Sequence, residues 1–282
     1  MNLILQSLFV DTTSLRHIAS VVKPQQIIEN SPQCIHCIGI TFTDDRAIKQ
    51  SKIKQMADQE RVDCYWDNSH KKLTDFKLLV MDMDSTLITI ECIDEIADMQ
   101  GLKPKVASIT EAAMRGDIDF AESLTRRVAL LKDMPASALN RVYDERLKLS
   151  FGAEKLISTV QHAGIKTLLV SGGFTFFTDR LKDKLKLDYS HANKLEIIDD
   201  KLTGRVLGDI VDAAEKRRTV ERTCSELGIT PSQAIVIGDG ANDLAMMEIA
   251  GLSVAYHAKP AVRAKAHAAL NYVGLDGVLN LF

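Results

Sequence analysis

Three short apolar runs, Leu78–Met81, Leu168–Val170 and Ile235–Ile237, each break off into polar or glycine-rich residues and are followed by a helical pattern. A run that is apolar at every position, rather than at every second one, is buried on both faces. Buried runs alternating with helices mark a parallel sheet covered by helices, an α/β fold. In such a sheet ligands collect outside the carboxyl ends of the strands. The residues just after each run are therefore where chemistry is to be sought.

The chain of 282 residues is long for one average domain. Residues 1–70 read as a small α+β unit: strand Leu3–Val10, helix Thr13–Val22 and strands Gln26–Glu29 and Cys34–Phe42. Helix Asp44–Gln59 follows, with Ile48, Ile53, Met56 and Ala57 as its apolar positions, then strand Arg61–Trp66. The order βαββαβ is that of ACT-like or ferredoxin-like modules. A polar linker, Asp67-Asn68-Ser69-His70-Lys71-Lys72, leads to the α/β unit, 76–282. Within it, 91–149 carries helical patterns at Val106–Arg115, Phe120–Lys132 and Ser137–Lys148, and reads as a helical cap over the strand ends. Ala192–Ile210 reads as a hairpin turning at Asp199-Asp200.

The first run ends in Met81-Asp82-Met83-Asp84-Ser85-Thr86. Two carboxylates two residues apart at a buried strand end project into one cleft, and like charges held together call for a cation. A hard divalent ion with oxygen ligands, Mg²⁺, meets that need. Alone, D-x-D is a weak signal and suits two solvated turn aspartates as well. It is not alone, because Ala234–Ile237 runs into Gly238-Asp239-Gly240-Ala241-Asn242-Asp243, a second acidic loop at a strand end. Leu168–Val170 runs into Ser171-Gly172-Gly173-Phe174, a hydroxyl and small residues before a helix, which suits a phosphate cradle and a plain turn equally. Lys216 offers a compensating positive charge, although its basic cluster also fits a solvated helix face.

In this order, D-x-D-x-T, serine after a strand, lysine and G-D-G-x-N-D resemble the haloacid-dehalogenase-like superfamily of phosphotransferases, from Leu78 onward. Met83-Asp84-Ser85-Thr86-Leu87 followed by Glu91 resembles, more narrowly, the phosphoserine phosphatases. So do Met114-Arg115-Gly116-Asp117-Ile118-Asp119-Phe120, Glu122-Ser123-Leu124-Thr125-Arg126-Arg127-Val128 and Val170-Ser171-Gly172-Gly173-Phe174. The resemblance implies a Rossmann-like parallel sheet with an inserted cap. It also implies hydrolysis of O-phosphoserine to serine and phosphate, the last step of serine biosynthesis, through an aspartyl-phosphate on Asp82. Asp84 is then the acid and base, and Asp82, Asp84 and Asp239 hold Mg²⁺. Ser171, Gly172, Lys216 and Asn242 bind the phosphoryl group, and Asp243 supports Lys216 or metal-bound water. Glu91 takes the substrate ammonium and Arg127 its carboxylate, with Met114 and Phe120 lining the closed pocket. From periodicity alone, Glu91, Glu95 and Asp98 form an acidic helical stripe, and Arg126 and Arg127 are equivalent surface charges.

A net charge of −3 gives no basic footprint for nucleic acid. There is no transmembrane-length apolar run and no leader pattern at Met1, so a cytoplasmic protein acting on a small molecule is expected. The five cysteines are scattered, and Cys34 and Cys37 read as unlinked thiols on a strand. A homodimer is left open. Two other readings stand beside the phosphoserine one. The first is a related phosphatase or phosphotransferase acting on an ester such as phosphohomoserine. The second is an amino-acid sensor with a vestigial catalytic unit, which the intact Asp82, Asp84, Lys216 and Asp239 oppose.

Overall fold

The computed structural model describes residues 1–68 and 71–282, without the side chain of Met114. Ser69 and His70 of the expected linker lie outside the described residues. The chain opens with β1 (Asn2–Gln6), α1 (Thr12–Ala19), β2 (Gln26–Ser31), β3 (Cys34–Ile38), α2 (Arg46–Glu60) and β4 (Asp63–Asp67). These strands form an antiparallel sheet in the order β2-β3-β1-β4, the ferredoxin-like arrangement expected from βαββαβ. Asp11, rather than a serine or threonine, caps α1 by accepting the N–H groups of Thr13 and Ser14. Leu15, Ile18 and Ala19 of α1, with Ile53 and Ala57 of α2, cover Leu3, Leu5, Ile35 and Cys37 of the sheet.

This unit differs from the sequence reading in several details: α1 ends at Ala19 rather than Val22, and β3 at Ile38 rather than Phe42. β1 stops at Gln6 instead of Val10, because the Ser7 hydroxyl turns away to the Arg61 carbonyl and accepts the Phe9 N–H. Ile48, expected on the buried stripe of α2, is 72% exposed, and only Ile53 and Ala57 of that helix are buried.

Next come β5 (Leu78–Met81), α3 (Cys92–Asp98), α4 (Lys103–Arg115), α5 (Phe120–Ala129), α6 (Ser137–Arg141), α7 (Ala153–His162), β6 (Lys166–Phe174) and α8 (Thr175–Leu185). They are followed by β7 (Tyr189–Ile198), β8 (Lys201–Leu207), α9 (Ala213–Glu226), β9 (Ala234–Gly238), α10 (Leu244–Glu248), β10 (Leu252–Tyr256), α11 (Pro260–Arg263) and β11 (Ala268–Leu270). A 3₁₀ segment, Leu275–Leu281, ends the chain. The seven strands lie in the order β11-β10-β9-β5-β6-β7-β8 and are parallel except for the β7–β8 hairpin. Central β5 alternates its side chains between two cores. Leu79 and Met81 face the cap, α7 and the C-terminal segment, whereas Leu78 and Val80 face α9 and α10. Burial on both faces is what the unbroken apolar run required.

The hairpin was read correctly at its turn, where Asp199 and Asp200 adopt φ of 49° and 58°. β7 begins earlier, however, and its first residues extend the parallel sheet alongside β6 before it folds back. β10 and β11 are additional to the strands expected from the sequence. The expected helix Ser137–Lys148 ends at Arg141 and passes into a π turn over Val142–Arg146, and Phe120–Lys132 ends at Ala129.

The cap, α3 to α6, is held at two places. Its entry and exit strands pair across Ile88 and Leu149, with Thr89 N–H on the Lys148 carbonyl at 3.0 Å and Ser150 N–H on that of Leu87 at 2.9 Å. Its far end rests on the hairpin, where Asp133 N–H reaches the Leu202 carbonyl and Ala136 N–H that of Asp200, each at 2.8 Å. The N-terminal sheet docks against the chain's other end. Buried Gln6 donates to the Gly277 carbonyl at 3.1 Å and accepts from Asn280 at 2.7 Å. The Asp63 carboxylate accepts four bonds, from the backbone N–H groups of Asn271, Tyr272 and Val273 and from the Asn271 side chain.

Candidate active site

Parallel registry brings the ends of β5, β6 and β9 to one level: Met81 lies beside Leu169 on one side and Ile237 on the other. Asp82 leaves β5 with extended backbone, its N–H still bonded to the Ile237 carbonyl at 3.0 Å. Its carboxylate, 4% exposed, accepts the Met83 N–H at 2.7 Å and the Lys216 ammonium at 2.7 Å. Lys216 sits in the first turn of α9, whose start is fixed by Asp212 accepting the Glu215 N–H. The lysine is 1% exposed and bridges Asp82 to Asp243, 2.9 Å away. Burial alone would lower the ammonium's pKa, but Asp243 and Asp82 outweigh it and raise it, so the cation is secure.

Asp243 is fully buried in a 3₁₀ turn, Ala241–Asp243, that follows β9. It accepts the N–H groups of Asp239 and Gly240, each at 3.1 Å, and so folds the acidic loop around itself. A Cβ at Gly238 would lie 2.3 Å from the Asp243 carboxylate, so only glycine admits this fold. Carboxylate oxygens of Asp82, Asp239 and Asp243 lie within 4.8 Å of one another. Burial, then the neighbouring Asp243, raises Asp82 well above the ordinary carboxylate range and Asp239 to about 6.

Three carboxylates against one ammonium leave two uncompensated negative charges in this cluster. All the donors are hard oxygens, and a divalent cation such as Mg²⁺ fits both the charge and the chemistry. The Asp84 carboxylate is not part of the cluster. It accepts the Cys92 N–H at 3.3 Å, and burial followed by the charge of Glu91 pushes it up to about 7.

Ser171 is buried at the end of β6 and accepts the Gly173 N–H at 2.8 Å through its hydroxyl. Gly172 and Gly173 leave room for what lies above them. A Cβ at Gly172 would come within 2.8 Å of the Phe120 ring, and one at Gly173 within 2.9 Å of the Asp84 carboxylate. The Phe120 ring thus lies over this loop. Met114 belongs to α4, but its side chain lies outside the described residues. Asn242 is half-buried beside Gly240 and makes no side-chain hydrogen bond among the described residues.

Arg126 and Arg127, equivalent by periodicity, part ways in the fold. Arg126 pairs on the surface with Glu122, one turn earlier. Arg127 turns inward, where its charge interacts with those of Asp94, Glu91 and Asp84. Its one hydrogen bond among the described residues is to the Ser123 carbonyl, and no carboxylate lies within 4.0 Å. Glu91 stands at the N-cap of α3 and accepts the Ser85 hydroxyl at 2.7 Å. Its stripe neighbours Glu95 and Asp98 instead share Arg146 at the base of the cap.

The sequence reading missed three contributors. Thr86, fully buried, donates its hydroxyl to Asp239 at 3.3 Å, a role the D-x-D-x-T spacing could have suggested. Asn193 ties the Gly172 carbonyl to the Val211 N–H just ahead of α9, both at 2.8 Å. Ser85, within the same motif as Thr86, donates its hydroxyl to Glu91. No signal in the sequence marks Asn193.

The model of the haloacid dehalogenase-like hydrolase family matches residues 76–251, more than half of the chain. The chain is 59% identical over 215 residues to a phosphoserine phosphatase of Polaromonas sp. (strain JS666), covering 74% of this chain and 91% of that one. Among solved structures, a HAD family hydrolase from Salmonella enterica matches 100% of this chain and 98% of its own at a TM-score of 0.89 and 32% identity. A probable phosphoserine phosphatase from Vibrio cholerae matches 99% and 85% at a TM-score of 0.84 and 36% identity. Motif, sheet order and acidic cluster thus coincide with a sequence match across the catalytic unit, and the chain belongs to the haloacid dehalogenase-like hydrolases.

Proposed function

We propose that this chain is a Mg²⁺-dependent phosphoserine phosphatase, with residues 1–70 as a separate docked unit and 91–149 as its cap. The observation that carries the substrate is a half-buried Arg127, without an ion-pair partner among the described residues, whose charge is felt by Glu91. A guanidinium and a carboxylate facing the same space suit the two charged ends of an α-amino acid. The relatives named phosphoserine phosphatase support the same reading.

In the proposed mechanism Asp82 attacks phosphorus, and an aspartyl-phosphate forms as the P–O bond to the seryl oxygen breaks. The Lys216 contact fixes the aspartate's orientation and offsets its charge. Asp84, protonated, gives its proton to the leaving oxygen, and then takes one from the water that hydrolyses the intermediate. Its raised pKa of about 7 suits both halves of that exchange. The Ser171 hydroxyl, the Gly172 N–H, Lys216 and Asn242 bind the phosphoryl oxygens. Asp82, the backbone carbonyl of Asp84 and Asp239 would hold the metal, with Asp243 supporting them, and the ion would supply the positive charge that the cluster lacks. The cap, with Phe120, excludes water from the amino-acid end.

Among the described residues no helix is long and apolar enough to cross a membrane. A phosphate-release assay with O-phosphoserine, phosphothreonine, phosphohomoserine and p-nitrophenyl phosphate tests the reading. Phosphoserine should be hydrolysed with the highest kcat/KM, EDTA should abolish turnover, and Mg²⁺ should restore it. Full activity in EDTA, or equal rates on all four esters, would defeat it.

A further inference from the structure

Ser85 adopts φ 55° and ψ 4°, a left-handed conformation that disfavours every residue with a Cβ and favours glycine. Its backbone is set by its neighbours: the Ser85 N–H bonds to the Ile90 carbonyl at 3.2 Å, and the Leu87 N–H bonds to that of Asp82 at 3.3 Å. Glycine would relieve the strain, so the serine side chain must offset it. Strain of this kind, beside Asp84 in a catalytic loop, points to a function for the residue that bears it.

The hydroxyl has one partner, the Glu91 carboxylate at 2.7 Å. Glu91 is an exposed N-cap residue with extended backbone. Unrestrained, its side chain would sample several rotamers, and a ligand would have to order them on binding. A hydrogen bond to one oxygen holds the carboxylate in a single orientation and leaves the second oxygen without a protein donor among the described residues. Because Ser85 directly follows Asp84, the same bond ties amino-acid recognition to the loop that carries the chemistry.

We propose that Ser85 is a positioning residue whose hydroxyl pre-orients Glu91 toward the ammonium group of the substrate. This rests on the phosphoserine reading above. The experiment compares O-phosphoserine with 3-phosphoglycerate, which has a hydroxyl in place of the ammonium group. Measurements are made on wild type, Ser85→Gly, Ser85→Ala and Glu91→Gln, and on the double variant Ser85→Gly/Glu91→Gln. Either Ser85 variant should raise KM for phosphoserine about five- to tenfold while kcat falls less than about threefold, the size of one ordinary hydrogen bond. The preference for phosphoserine over 3-phosphoglycerate should fall by a similar factor. In the Glu91→Gln background, Ser85→Gly should add less than about twofold.

Unchanged preference in both Ser85 variants would overturn the role of Ser85. So would a loss of kcat alone or additive effects in the double variant. A wild-type protein that does not distinguish the two esters would sink the phosphoserine reading itself, and this proposal with it.

Discussion

Asp63 and Asp82 are both closed off from solvent, at 3% and 4% exposure, yet they are surrounded in opposite ways. Asp63 meets four N–H donors, all neutral, from the segment just after β11. Asp82 meets one ammonium and stands beside two further carboxylates. A buried carboxylate whose acceptors are filled by fixed donors has nothing left to do, and it serves as a latch between β4 and the end of the chain. A buried carboxylate left with excess negative charge around it is poised for a cation and an electrophile. Burial alone separates neither structure from chemistry; the identity of the partners does.

The widest separation should appear on replacing each aspartate. Asp82→Asn preserves the shape and removes the nucleophile, so kcat for phosphoserine should fall by at least about 10⁴-fold. Its melting temperature should not drop, because one charge leaves a cluster already too negative. Activity within tenfold of wild type would put the nucleophile elsewhere. Asp63→Ala should do the reverse. It orphans four donors at the docking face and should cost about 2–4 kcal/mol of stability in urea unfolding. Turnover per folded molecule should stay within about twofold, since Asp63 touches no residue of the cleft. A large kcat loss from Asp63→Ala in fully folded protein would break the contrast.

Arg127 and Arg126 repeat the contrast on one helix. Arg127→Ala should raise KM for phosphoserine about 30-fold, the value of a charged hydrogen-bonded pair, and that for p-nitrophenyl phosphate by a factor of only a few. Arg126→Ala removes a surface pair with Glu122 and should move neither by more than about twofold. Equal KM effects of Arg127→Ala on both esters would take the guanidinium out of substrate recognition.

What was legible in the sequence follows the same physics. Asp82, Asp84 and the acidic loop at Asp239 stood out because charge at the end of an apolar strand demands an explanation. The parallel sheet stood out because β5, β6 and β9 are apolar without alternation. Arg127 did not stand out from Arg126, since helical spacing says only that two adjacent residues point in different directions, not which one faces the cleft. β10 and β11 escaped because Leu252–Tyr256 and Ala268–Leu270 are short and weakly patterned. The Asp63 latch was invisible for a different reason: its partners, Asn271 to Val273, lie more than 200 residues away, and at the head of β4 it reads as an ordinary polar strand end. Ser85 was hidden because a left-handed backbone is normally announced by glycine.

The last test addresses the latch itself. Burial pushes the Asp63 carboxyl up to about 6, outweighing the pull of its backbone and side-chain donors, whereas an unfolded aspartate titrates near about 3.9. Between these values the folded chain holds a proton that the unfolded chain has released. By linkage, the stability from this group is fully present below about pH 4 and is lost as pH rises through about 6. The slope for one group is at most about 1.4 kcal/mol per pH unit. Every other titration is common to wild type and Asp63→Asn, so the difference between their urea-unfolding free energies isolates it. Wild type should lose ground to the variant from about pH 4 to about pH 6 and hold level above about pH 7. A difference that moves the other way, with wild type gaining as pH rises, would mean that the four donors hold the carboxylate below its ordinary range. The latch would then be strongest in its charged form, and acid alone would suffice to weaken the docking of β4 on the C-terminal segment.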